Sequence, residues 1–202
     1  MRIIGIIAEY NPFHNGHAYQ IEKIRSLTQA DFVIAAMSGN FVQRGEPALI
    51  DKYARTEMAL SCGADLVIEL PALWATASAE LFASAGVALM RKCGCVDTLC
   101  FGAETDNLSL LKEVASLLVS EPEDYKEVLS SCLKKGMSYP AARSQAVCNY
   151  LKEANQQIPA DELACLLNEP NNILAIEYLK AIKRLNSSIK PVAIKRVGAG
   201  YN

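Results

Sequence analysis

Short apolar runs recur along this chain, and segments long enough to form helices separate them. In these runs the apolar residues follow one another without polar alternation, as in the stretch IIGIIA at residues 3–8. Strands that are apolar on both faces are typical of a parallel sheet that helices cover on both sides. We therefore predict an α/β fold with a doubly wound, five-stranded parallel sheet, whose strands lie at residues 3–8, 31–37, 65–70, 96–101 and 191–196.

Two groups of helices are predicted. Helices at about 16–28, 51–62 and 78–92 connect the first four strands. A helical insertion at about 107–185, with helices at 108–119, 125–135, 139–152 and 172–185, precedes the last strand. Residues 1–202 therefore form one domain. Because small, loop-like residues follow the final strand, we expect the chain to be a fragment of a longer protein.

Composition limits the classes of partner. The chain has 51% hydrophobic and 21% charged residues, and this composition predicts a globular domain with a sizeable core. A net charge of −2 gives no chain-wide basic signal for nucleic acid, and the densest basic stretch lies at Lys180, Lys183 and Arg184. No apolar run reaches 18 residues and no signal peptide is indicated, so we expect a cytoplasmic protein without a membrane partner. The sequence does not indicate an oligomeric state.

The cysteines predict free thiols. Their number, seven, is odd, which fits a reducing compartment. Cys93, Cys95 and Cys100 are close in sequence, but C-x-C is not the spacing of a structural zinc site, and we expect core thiols there.

The two histidines of the chain, His14 and His17, are the most informative polar residues. They follow the first predicted strand and begin the first predicted helix. In open α/β sheets ligands bind at this edge, where free N–H groups and the helix dipole favour a phosphate. Gly16 allows a nucleotide to approach the backbone closely. We interpret the pair as donors to ATP phosphates; a solvated helix cap and a partial metal site are the alternatives.

Other residues fall at the same predicted edge. The pair Lys195 and Arg196 ends the last strand, and the arginine can bind phosphate with two parallel hydrogen bonds, although a basic pair at a strand end is often only solvated. Gly102 follows the fourth strand and leaves room for adenine or ribose. Asn171 begins a helix. Either Asn171 or its neighbour Asn172 caps the free backbone N–H groups of this helix, or the side-chain amide of Asn171 contacts a bound nucleotide.

Two further segments have open interpretations. Lys52 and Arg55 lie three residues apart on one helix face. One interpretation is that they bind a carboxylate or a phosphate, and the other is that they form a solvated face. The polar segment at 43–46 (QRGE) is either a substrate loop or a solvated connection.

Several longer motifs carry a family resemblance. The string EYNPFHNGH at 9–17 contains the H-x-G-H signature of nucleotidyltransferases related to class I aminoacyl-tRNA synthetases. Together with the segments at 37–47, 63–71, 101–104, 170–175 and 195–201, it resembles the bacterial tRNA(Met) cytidine acetate ligase family over essentially the whole chain. The resemblance implies a Rossmann-like nucleotidyltransferase fold, and it implies that a C-terminal domain that helps to hold tRNA is missing from this chain.

The resemblance also implies a reaction. Acetate attacks the α-phosphate of ATP to form acetyl-adenylate, and N4 of the wobble cytidine of elongator tRNA(Met) then takes the acetyl group to give N4-acetylcytidine. From the chemistry of this step we assign His14 and His17 to stabilisation of the α-phosphate and the leaving group, and Arg196 to binding of the phosphates. We expect Mg²⁺ on the pyrophosphate, although no group of ligands in the sequence requires it. The implied ATP-binding residues are Ile7, Ala8, Glu9, Tyr10, Asn11, Pro12, Phe13, His14, Asn15, Gly16, His17, Ala18, Tyr19, Gln20, Gly102, Asn171 and Arg196.

Two other functions are open at this point. The first is a small-molecule adenylyltransferase of the same fold, and the second is a nucleotide-binding or tRNA-binding module without catalysis.

Overall fold

The structure, a computed structural model, describes residues 1–154, 163 and 166–196. Its centre is one sheet of five strands, all parallel, which confirms the predicted fold class. The strands are β1 (Ile3–Ala8), β2 (Phe32–Ser38), β3 (Leu66–Leu70), β4 (Thr98–Ala103) and β5 (Lys190–Lys195). Their order in the sheet is β3-β2-β1-β4-β5.

Helices cover both faces of this sheet. They are α1 (Asn15–Thr28), α2 (Lys52–Ser61), α3 (Ala72–Ala75), α4 (Ala79–Lys92), α5 (Leu108–Ser120), α6 (Glu123–Lys134), α7 (Tyr139–Ala154) and α8 (Pro170–Arg184). The sequence did not predict α3 or the 3₁₀ turn Gln43–Gly45, because both are too short for a periodic pattern. None of the helices in the described ranges is long and apolar enough to cross a membrane.

The core consists of two apolar clusters, one on each face of the sheet. Ile4 and Ile6 of β1 pack with α1 and α2, whereas Ile3 and Ile7 belong to the cluster formed with α4, α5 and α8. Gly86 lets α4 approach β1 closely, because a Cβ there would lie 2.6 Å from Ile7 Cδ1. The non-alternating composition of β1 thus follows from burial on both faces.

The expectation that every strand is covered on both faces is wrong for β3. Leu66 is 47% exposed, because β3 is an edge strand and its faces are only partly covered. Two residues of the densest basic stretch, which lies in α8, form ion pairs within the fold. Lys180 is buried between Glu177 (2.7 Å) and Glu80 (3.6 Å), and Arg184 pairs with Glu80, so these cations hold α8 to α4.

The order of the strands creates a crevice. From β1 the chain moves outward through β2 to β3, and it then crosses back to place β4 on the other side of β1. The connections therefore diverge at the carboxyl ends of β1 and β4. In doubly wound sheets this switch point is where ligands bind.

Candidate active site

A cleft of about 340 Å³ lies at this switch point. The ends of β1, β4 and β5 form its floor, and the first turns of α1 and α8 form parts of its wall. It is lined by Ile7, Ala8, Glu9, Tyr10, Asn11, Pro12, His14, Gly16, His17, Tyr19, Gln20, Gln43, Phe82, Phe101, Gly102, Asn171, Leu174, Tyr178, Ile194, Lys195 and Arg196.

His14 and His17 form a reciprocal capping box at the start of α1. His14 Nδ1 accepts a hydrogen bond from the Gly16 N–H at 3.1 Å, and His17 Nδ1 accepts one from the His14 N–H at 3.2 Å. The two rings stack with their centroids 3.7 Å apart. The solvated-cap interpretation is therefore right about the Nδ1 atoms, which satisfy backbone donors at the helix start.

The capping box also fixes which ring nitrogen is available to a ligand. Because both Nδ1 atoms accept, a neutral imidazole at either position carries its proton on Nε2 and donates from there. Burial, together with the nearby charges of His14 and Arg196, lowers the pKa of His17 from its ordinary value of 6.5 to about 4. His17 is therefore neutral at pH 7 and still offers an N–H donor.

Aromatic rings hold His17 in place from behind. Tyr10 packs edge-on against the imidazole with centroids 4.8 Å apart, and Phe13 lies 5.4 Å from it. Tyr10 is buried in a left-handed backbone conformation, with φ 50°. Asn11 Oδ1 accepts from the Leu49 N–H at 2.7 Å and ties this loop to the segment before α2.

Arg55 is neither solvated nor available to an anion, so both interpretations from sequence are wrong for it. Its guanidinium is completely buried and donates to the carbonyl oxygens of Glu9 (2.7 Å), Ser38 (3.0 Å), Ile50 (2.9 Å) and Gly39. These carbonyls come from the end of β2 and from loops, which a helix-face pattern cannot show to be adjacent. Arg55 therefore fixes the loop after β1, whose next residues carry the histidines.

Glu9 contributes the carboxylate of the cleft. Its Oε1 accepts from the Gln43 N–H at 2.6 Å, at the start of the 3₁₀ turn. Burial raises the pKa of Glu9, while the Gln43 hydrogen bond and the charge of Arg55 oppose this rise. The segment at 43–46 thus borders the cleft through Gln43, in agreement with its position as a loop near the ligand edge.

Arg196 and Gly102 lie next to each other across the cleft floor. A Cβ at Gly102 would be 3.5 Å from Arg196 Cγ, which is ordinary contact. The Arg196 charge is close enough to lower the pKa of His17, so the cation and the two imidazoles face one space. Lys195 also lines the cleft, and its Nζ lies 3.5 Å from Asp106 Oδ2.

Neither Asn171 nor Asn172 caps α8 in the manner predicted. The N-cap position is Glu169, which makes no side-chain cap hydrogen bond. Instead, Glu104 Oε2 accepts from the Asn172 N–H at 2.9 Å, and Asn172 Oδ1 accepts from the N–H groups of Glu104 (2.9 Å) and Thr105 (3.3 Å). The carboxylate that caps α8 thus comes from the end of β4, a long way off in sequence.

The cleft brings together most of the predicted ATP-binding residues. Phe13, Asn15 and Ala18 do not line it, because Phe13 packs behind His17 and the other two fall on a different side of α1. The predicted ATP-binding set lacks seven residues that line the cleft, of which Gln43 and Lys195 had been singled out from the sequence for other reasons: Gln43, Phe82, Phe101, Leu174, Tyr178, Ile194 and Lys195. For Leu174 and Tyr178 a signal existed, since positions 171, 174 and 178 share one helical face. Contact of any of these residues with ATP stays a prediction.

Metal-binding groups are sparse in the described part of the chain. Within it, no cluster of three or more His, Cys, Asp or Glu side chains is placed to hold a metal ion. The expectation of core thiols is right for Cys100, which is buried, and wrong for Cys95, which is exposed past the end of α4. Cys165 and the end of the last family motif, 197–201, lie outside the described residues.

Comparisons with known proteins agree on the family. The chain matches the family described as HIGH Nucleotidyl Transferase over residues 1–202. It is 52% identical to the tRNA(Met) cytidine acetate ligase of Acetivibrio thermocellus over 202 residues and 50% identical to that of Halothermothrix orenii over 203. The matches cover 100% of this chain but only 47% and 48% of those proteins, so the chain spans about half the length of these relatives.

Solved structures support the same relationship. Thermotoga maritima TmcAL bound with alpha-thio ATP superimposes with a TM-score of 0.92 at 42% identity, over 98% of this chain and 47% of that one. The apo form of TmcAL gives a TM-score of 0.93 at 43% identity, over 98% of this chain and 46% of that one.

Proposed function

Because the chain belongs to the HIGH nucleotidyl transferase family, we propose that its cleft binds ATP and activates acetate for a tRNA(Met) cytidine acetate ligase. The observation that carries this proposal is the histidine pair at the switch point, with both Nδ1 atoms used by the backbone and both Nε2 atoms left as donors. The bound alpha-thio ATP of the Thermotoga maritima relative supports a nucleotide in this cleft.

The first chemical step needs charge stabilisation more than proton transfer. A carboxylate oxygen of acetate attacks the α-phosphorus, the bond from that phosphorus to the bridging oxygen breaks, and pyrophosphate leaves with the electron pair. Acetate is already ionised at neutral pH, so no general base is required. Negative charge grows on the phosphate oxygens, where His14, His17 and Arg196 act as fixed donors in a partly buried site.

The neutral state of His17 suits this role. A preorganised N–H donor stabilises developing charge without having to lose water first. The cationic Arg196 attracts the charged phosphates of ATP already in the ground state, and only an interaction that becomes stronger in the transition state speeds the chemical step. We therefore assign His17 mainly to the chemical step and Arg196 to phosphate binding as well.

The second step transfers the acetyl group. The N4 amine of the wobble cytidine attacks the carbonyl carbon of acetyl-adenylate, and AMP leaves. This reaction, the elongator tRNA(Met) partner and a cytoplasmic location are proposals for the whole protein. The descriptions of the relatives support the tRNA partner. Any Mg²⁺ would be held chiefly by the phosphates, since the described residues offer no cluster of ligands for it.

Acetate-dependent exchange of labelled pyrophosphate into ATP tests the proposal. We expect exchange with ATP and acetate, and none when acetate is left out. Exchange that requires a phosphorylated cofactor precursor in place of acetate would favour the small-molecule adenylyltransferase. ATP binding by calorimetry without exchange under any condition would favour the non-catalytic module.

A further inference from the structure

The side-chain amide of Asn171 is held in one orientation. Its Nδ2 donates to Glu104 Oε1 at 2.5 Å, while the other carboxylate oxygen of Glu104 accepts from the Asn172 N–H. A carboxylate only accepts, so the atom of Asn171 that meets Glu104 is the nitrogen and not the oxygen. Oδ1 is therefore the acceptor that this amide leaves for a ligand in the cleft.

The surroundings of Asn171 suit a flat, apolar group with a polar edge. Leu174 and Tyr178 follow it on the same face of α8 and line the same cleft. The ring of Phe101 lies 5.6 Å from that of Tyr178. The charged and imidazole groups that suit phosphates come instead from α1 and from the end of β5. The α8 wall therefore matches a nucleobase better than it matches a phosphate.

We propose that Asn171 Oδ1 accepts a hydrogen bond from the exocyclic amine of the nucleobase, and that Glu104 is the positioning residue that makes Asn171 an acceptor. The inference rests on the proposed function, because it concerns the base of the nucleotide that the cleft binds. It predicts a preference for adenine over a base with a carbonyl oxygen at the same position. With such a base, two acceptors would face each other.

A single substitution at Glu104 reverses the orientation. In Glu104→Gln the side-chain oxygen still accepts from the Asn172 N–H, but an NH₂ group now meets Asn171. Asn171 must then rotate its amide to turn Oδ1 towards Gln, and its NH₂ faces the cleft. The variant keeps the hydrogen bond that joins the end of β4 to α8, but Asn171 now presents an N–H donor to the ligand in place of its oxygen acceptor.

The test compares the dissociation constants of ATP and ITP by calorimetry without acetate. ITP carries a carbonyl oxygen where ATP carries the amine. The wild-type protein is expected to prefer ATP, and Glu104→Gln is expected to reduce the ratio of ITP to ATP dissociation constants by roughly tenfold or more. Asp106→Asn is the matched control: it removes a nearby negative charge but touches no atom of Asn171, so the ratio should stay at the wild-type value.

A second variant and a second ligand make the result decisive. Asn171→Ala removes the acceptor without rotating it, so it should weaken ATP binding but should not weaken ITP binding. An unchanged ratio in both variants, with thermal melting that shows them folded, would overturn the inference. A change in the ratio of 2′-deoxy-ATP to ATP instead would also overturn it, since Asn171 would then face the ribose. If the wild-type protein binds neither nucleotide, the proposed function itself fails. If it binds ATP but the ratio is unchanged in both variants, only the inference about Asn171 and Glu104 fails.

Discussion

His17 has two separable tasks, and two substitutions divide them. Its Nδ1 accepts from the His14 N–H at 3.2 Å, and its Nε2 is the donor proposed to act on ATP. The Oδ1 of an asparagine lies near the position of an imidazole Nδ1, whereas the Nε2 of a glutamine lies near the position of an imidazole Nε2. His17→Asn should therefore keep the cap and lose the donor, and His17→Gln should do the opposite.

The expected magnitudes follow from these contacts. Loss of a helix cap costs about 0.5–2 kcal/mol, and His14 is exposed, so water replaces part of what is lost and the lower end applies. For a domain of this size, about 1 kcal/mol lowers the melting temperature by roughly 2–4 °C. The loss of one preorganised donor slows the chemical step by roughly a hundredfold to a thousandfold. His17→Asn should therefore melt like the wild type but react slowly, and His17→Gln should melt lower and retain more of the rate.

Single-turnover release of pyrophosphate, with saturating ATP and acetate, measures the rate, and differential scanning calorimetry measures the melting temperature. ATP affinity is the internal control and should change little in either variant, because the donor acts mainly in the transition state. Wild-type release by His17→Asn would refute the assignment and leave the histidine motif as a structural turn. Equal rates in the two variants would show that Nε2 has no special role.

Three further predictions concern stability and access to the cleft. Because the folded-state pKa of His17 is lowered from the ordinary value of 6.5 to about 4, the unfolded chain binds more protons between these values. His17 therefore reduces the free energy of unfolding as the pH falls from 6.5 to 4 and has no such effect above pH 6.5. Urea unfolding at pH 7 and at pH 4.5 should show that His17→Asn loses less free energy of unfolding between these pH values than the wild type does. Arg55→Met leaves several buried carbonyl oxygens without a donor, so we expect a loss of about 3 kcal/mol or more in the free energy of unfolding, measured by urea titration, together with weaker ATP binding. Gly102→Ala should fold normally and weaken ATP binding in calorimetry, whereas Gly86→Ala, whose Cβ would lie 2.6 Å from Ile7, should lower the melting temperature. A lower melting temperature for Gly102→Ala and an unchanged one for Gly86→Ala would contradict the packing described above.

The order and type of the main elements were predictable from the sequence. Burial on both faces makes the strands of a parallel sheet continuously apolar, so β1 and β2 are visible as uninterrupted runs, and Asp51 and Gly63 mark the two ends of α2. The histidine pair was also readable, because it falls directly after a strand and begins a helix. These signals are local: they depend on residues within one or two turns of each other.

The tertiary structure decided what the remaining polar residues do. Arg55 could be assigned to the loop after β1, and Lys180 to a buried ion pair, only after distant loops and helices had been brought together. Glu104 appeared in the sequence only as the end of a family motif after the fourth strand, and the structure shows that it caps α8 and orients Asn171. The physical reason is that chain topology sets the hydrogen-bond partners of buried polar groups, and Asn171 and Glu104 are 67 positions apart in the sequence. Periodicity, in contrast, reports only which side of an element is apolar.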